Sequence, residues 1–172
     1  MKDQDFSQLH RAQEEIAKDL TAFFESDDFS HCRFVVNEFD LFTLFLVSAA
    51  WLASGDDSRQ APLVAFHKAH LLAMVEGIMA GQLDEVDSER QETLVTMVGN
   101  IAETRLRDYF SLLQKAKEQD AHLRFSTICD AFLVNFFNYD DPQILARITP
   151  LVQELFHQAQ QSLAPSSSEA QP

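Results

Sequence analysis

From residue 41 to residue 53 the chain reads LFTLFLVSAAWLA, with Thr43 and Ser48 as its only polar side chains. The stretch is far shorter than the roughly 20 apolar residues a bilayer-spanning helix needs. Asn37, Glu38 and Asp40 stand just upstream of it. Wound into an α-helix, it is apolar on nearly every side, and such a helix is stable only when other elements surround it. The stretch therefore predicts a protein built in layers of helices, with this segment inside.

The rest of the sequence agrees. There are 4 Gly and 5 Pro in 172 residues, few of the residues that break helices and few of the turns an all-β fold requires. Apolar residues recur at helical spacing, as in Phe6, Leu9, Ile16, Leu20, Phe23 and Phe24. No run of period-two alternation demands a strand, and no internal repeat is found. Six helical segments emerge, at residues 5–24, 30–54, 58–80, 88–120, 121–138 and 142–163. Gly55 and Gly81 are natural terminators of the second and third. Ser88-Glu89-Arg90-Gln91 has the form of a capping box. Asp141 followed by Pro142 is an acidic N-cap with proline at the first helical position. The boundary between the fourth and fifth segments is the weakest signal, and Gly99 is a candidate kink. Pro150 either kinks the sixth helix or marks a separate helix capped by Thr149. The expected fold is all-α: a six- or seven-helix, mostly antiparallel bundle with the second and fifth segments central. Residues 1–163 form a single helical domain, and 164–172 (APSSSEAQP) form a disordered tail with nothing to bury.

Phenylalanine is heavily used, at 15 residues against 2 Tyr and 1 Trp. It supplies apolar area without a polar handle, so a phenylalanine-packed core is the simplest reading and a phenylalanine-lined ligand cavity the alternative. The net charge is −14, which repels phosphate backbones and anionic membranes. Nucleic-acid and membrane binding are excluded as expectations, whereas a basic protein partner is compatible. Cys32 and Cys129 have no metal-ligand spacing and read as reduced, buried thiols, with a single long-range disulfide as the alternative. With no apolar leader at the N-terminus, the expected location is cytoplasmic.

Chemistry is sought where polar residues interrupt apolar faces. In the third helix the predicted face is Leu63, Val64, Leu71, Met74, Val75 and Ile78, with His67 in its middle and His70 at its edge. In the fourth it is Leu94, Val98, Ile101, Tyr109 and Leu112, with Arg105 at its centre and Asp108 near its edge. A buried guanidinium cannot lose its charge and needs a carboxylate. Asp108 at i+3 is the local candidate, and Glu38, Asp40 and Asp130 are the distant ones. The structural reading of these residues is a buried ion pair and hydrogen-bonded histidines that fix helix register. The functional reading is a polar pocket in which Arg105 holds an anionic group and His67 and His70 donate protons or accept them; a third is a partner surface, with the arginine and histidines exposed on a helix face that docks elsewhere.

Glu154-x-x-His157 has the spacing of one half of a di-iron carboxylate site, but no second such motif accompanies it. His67-x-x-His70 would need a third ligand, and Glu76 falls on the far side of its helix. No haem-binding motif accompanies any histidine. No phosphate-binding glycine loop, nucleophile elbow, C-x-x-C or H-E-x-x-H is present, and no helix-turn-helix precedes residue 60. No cofactor is called for. Two functions from different classes remain. The first is a small interaction module that acts by docking to a protein partner, with self-association into a homodimer through surplus apolar faces. The second is a small-molecule, metal or cofactor-binding bundle, an enzyme in one version, with its site at His67, His70 and Arg105. A closed cavity reached by those side chains would mark the second; a filled core and an exposed apolar or acidic patch would mark the first.

Overall fold

The computed structural model of the protein describes residues 2–25, 36–55, 59–80, 88–116, 120–137 and 141–165. They form six helices: α1 (Lys2–Phe24), α2 (Val36–Ala53), α3 (Gln60–Ala80), α4 (Ser88–Lys115), α5 (Ala121–Phe137) and α6 (Pro142–Leu163). No strand occurs among the described residues. Cys32, Gly81 and residues 166–172 of the expected tail lie outside them.

Helix α2 is the centre of the bundle and packs against all five others. Every residue from Leu41 to Trp51 is buried, as its sequence demanded. Helix α5 packs against α6, α2 and α4 and buries Phe125, Ile128, Cys129, Phe132, Leu133, Phe136 and Phe137. Every phenylalanine among the described residues is buried or packed against the core. Their rings fill the interior by contact with one another. Phe42 of α2 stacks on Phe132 of α5 at 4.0 Å, and Phe132 stacks on Phe136 at 5.0 Å. Each such ring contributes about 1.5–3 kcal/mol by leaving water.

Pairwise contacts fix the helix directions. Phe39 meets Phe136 while Phe42 meets Phe132, so α2 and α5 run antiparallel. Phe125, near the start of α5, meets Phe156, near the end of α6. Ser48 meets His67 and Trp51 meets Arg59, so α2 and α3 are antiparallel as well. Glu38 meets Arg105 and Phe45 meets Phe110, which makes α2 and α4 parallel. The contacts describe helices alternating in direction along the chain.

Local signals explain the ends. Asp141 Oδ1 accepts from the backbone N–H groups of Gln143 (2.9 Å) and Ile144 (3.2 Å), capping α6 ahead of Pro142. Asp120 Oδ1 accepts from Leu123 N at 3.0 Å and starts α5. Arg124 Nε reaches back to the Ala116 carbonyl at 3.0 Å. Neither Gly nor Pro marks that junction, which is why it reads faintly in the sequence. Helix α4 passes through Gly99 without interruption, and α6 passes through Pro150. The Thr149 hydroxyl donates to the Leu145 carbonyl at 2.8 Å, one turn back, so Thr149 is not an N-cap and no seventh helix begins there.

One junction ties three helix ends together. Trp51 is buried near the end of α2 and donates from Nε1 to the Arg59 carbonyl at 2.9 Å. The Arg59 guanidinium lies 4.1 Å over the Trp51 ring. Its Nη1 donates to the Trp51 carbonyl (3.0 Å) and its Nη2 to the Leu163 carbonyl at the end of α6 (2.9 Å).

Candidate functional site

Two buried polar clusters interrupt the apolar interior, one at each side of α2. The first is built on Glu38 in the first turn of α2, which is almost fully enclosed. Arg105 and Tyr109 stand one turn apart on α4 and both reach it. Arg105 Nε donates to Glu38 Oε2 at 3.0 Å, and the Tyr109 hydroxyl donates to Oε1. Asn135 of α5 stands beside the same phenol. Burial, then the Glu38 charge, pushes the Tyr109 phenol well above its ordinary range, so it stays a donor. Arg105 keeps 36% of its side chain exposed, so the pair runs from a dry carboxylate out to the surface.

The second cluster lies where α1, α2 and α3 meet. The Ser48 hydroxyl donates to the Leu44 carbonyl at 2.6 Å and lies 2.7 Å from His67 Nε2. Ser48 has a single proton, already committed, so His67 must be the donor to it. Gln13 is buried on α1. Its Nε2 lies 3.2 and 3.3 Å from the two ring nitrogens of His70 and 3.5 Å from Thr43 Oγ1, which itself donates to the Asp40 carbonyl at 3.0 Å. An amide N–H donates, so His70 accepts and is neutral. Burial lowers the pKa of His67; burial, then the neighbouring His67 and His10, lowers that of His70. Among the described residues no buried side-chain nitrogen or oxygen lacks a hydrogen-bond partner.

These clusters do not converge. Glu38 and Ser48 are ten residues apart on α2, about 15 Å along its axis, so Arg105 is remote from His67 and His70. Of the four carboxylates considered for Arg105, it takes Glu38. Asp108 is exposed. Asp40 is half-buried, and burial raises its carboxyl pKa. Asp130 is half-buried on α5 beside Cys129, whose thiol burial pushes up to about 12. Glu154 and His157 are both exposed; Glu154 Oε1 accepts from Gln158 Nε2 at 2.8 Å, and His157 lies near Phe125 and Phe156. No group of three or more metal-ligating side chains gathers among the described residues.

The buried face of α4 is rotated from its expected position, whereas that of α3 departs from it at Val64. In α3, Leu63, Phe66, Met74 and Val75 are buried with His67 and His70 beside them, while Val64 is 67% exposed. In α4, Ala102, Leu106, Tyr109 and Ala116 face inward; Met97 is 51% and Ile101 55% exposed. Turning Ile101 outward is what allows Arg105, one turn on, to reach solvent while its Nε still meets Glu38. The same turn leaves an open groove of about 390 Å³, lined by Met97, Asn100, Ile101, Thr104 and Arg105. Sequence reasoning missed this groove, along with Gln13, Thr43 and Ser48. Gln13 did carry a signal, since it interrupts the α1 stripe of Leu9, Ala12, Ile16 and Leu20. No protein-family model matches the chain, and it matches neither a curated protein nor a solved structure.

Proposed function

We propose that the protein is an interaction module that docks a protein partner on the outward face of α4. One observation carries the reading: apolar residues that would serve a core, Met97 and Ile101, face outward side by side on an open groove, while the phenylalanine interior is occupied by its own rings. Exposed apolar residues grouped on one helix face are the usual mark of a partner surface. A small-molecule site would instead enclose most of its ligand. The two polar clusters then serve the fold, with Arg105 alone reaching the docking face.

A photo-crosslinking amino acid placed at Met97, in the cells that naturally make the protein, tests this. The expected result is a discrete adduct with a second protein. It should be absent when the crosslinker sits at exposed Gln158, and lost when Ile101→Asp is added. Adducts equal from both positions, or indifferent to Ile101→Asp, would refute the reading.

A further inference from the structure

We propose that the α4 groove recognises a helical segment of another protein in which an acidic side chain lies about one turn from a large apolar anchor, with Arg105 binding the carboxylate. The inference rests on the docking reading above and names what that face reads.

The first argument is the disposition of Arg105. Its Nε is committed to Glu38 Oε2, and the other Glu38 oxygen is held by Tyr109, which is buried. The guanidinium is thereby pinned through one nitrogen. Among the described residues its two terminal nitrogens have no protein acceptor, and the side chain lines the groove. A pinned guanidinium presenting two N–H groups matches the fork of a carboxylate and loses little freedom on binding it. Glu38 and Tyr109 are positioning residues in this arrangement. Their burial is costly for an ordinary surface ion pair, and holding Arg105 in place gives it a use.

The second argument concerns the anion. Arg105 is the one cationic side chain among the described residues lining the groove. Its charge is already offset by Glu38, within a chain of net charge −14. A dianionic phosphate would meet too little positive charge there, whereas a single carboxylate needs one guanidinium.

The third argument concerns shape. Met97, Ile101 and Arg105 recur every four residues and line a strip about 12 Å long that is open along its length. A strip of that form accepts the matching i, i+4 ridge of a second helix. Asn100 and Thr104 flank it with neutral hydrogen-bonding groups.

Selection from a displayed library of helical 16-residue peptides against the full chain tests the proposal. Peptides enriched by the wild-type protein should carry Asp or Glu three or four residues from Leu, Ile, Met, Phe or Trp. For a synthetic consensus peptide, Arg105→Gln should weaken binding about tenfold or more. Changing the peptide's acid to its amide should cost the same, and the two losses should not add. Tyr109→Phe should weaken the acidic peptide several-fold and leave the amide peptide unchanged, a selectivity that a merely structural role would not produce. Consensus peptides lacking an acid, yet lost with Met97→Asp, would overturn the role of Arg105 while leaving the docking face standing. Enrichment indifferent to Met97→Asp and Ile101→Asp would overturn both. A dimer in light scattering that excludes the peptide would make a second copy the occupant and overturn the choice of partner.

Discussion

His67 and His70 place two imidazoles where α1 and α2 offer them neutral partners, Ser48 and Gln13. Both pKa values are lowered, chiefly by burial, so the unfolded chain takes up protons near the ordinary value of about 6.5 before the folded chain does. Their contribution is intact above that pH and is lost as pH falls below it. The urea midpoint should therefore drop from pH 7.5 to pH 5.5, and the double variant His67→Gln/His70→Gln should flatten that slope; an unchanged slope would refute the assignment. Asp40 has the opposite sign. Its raised carboxyl pKa means that its charge costs stability at neutral pH, so Asp40→Asn should raise the melting temperature at pH 7, with the gain fading in acid where the carboxyl is protonated anyway. Glu38→Ala leaves the buried Tyr109 hydroxyl without its acceptor and should cost about 1–3 kcal/mol by chemical denaturation. Half-exposed Arg105 adds little to that figure because water can reach it. The sequence made His67, His70 and Arg105 visible as polar interruptions. It could not choose Glu38 over Asp108, because spacing along one helix is legible and the approach of another helix is not.

Among the elements, α2 and α6 were the most readable. An unbroken apolar stretch leaves only the centre of a bundle for α2, and Asp141-Pro142 states the start of α6 in two residues. Asp141→Ala should cost about 1 kcal/mol through the loss of that cap, and Phe132→Ala about 3–5 kcal/mol through the cavity left against Phe42 and Phe136; thermal or urea unfolding measures both. The faces of α3 and α4 were less legible for a physical reason. Helix α3 is apolar around most of its circumference, so a wheel drawn from its sequence has no sharp maximum, and α4 carries Val95, Met97 and Ile101 outside its buried line. The neighbours decide which side is buried: in α4 the inward line is Ala102, Leu106 and Tyr109, and Ile101 is left outside.

At the scale of the whole molecule, a net charge of −14 on a chain of this length sets carboxylates against one another. Added salt screens that repulsion, so the melting temperature should rise between 20 mM and 500 mM sodium chloride; a fall would mean that ion pairs outweigh it. The alternation of helix directions follows from short connections and was legible. The groove was not, because it arises from how far one helix turns relative to the rest. The junction at Trp51 has a practical outcome of another kind. This chain has one tryptophan, and its indole lies beneath a guanidinium that also grips the last carbonyl of the final helix. Its emission colour is a built-in gauge of whether the C-terminal helix is seated, readable on the native chain without a label.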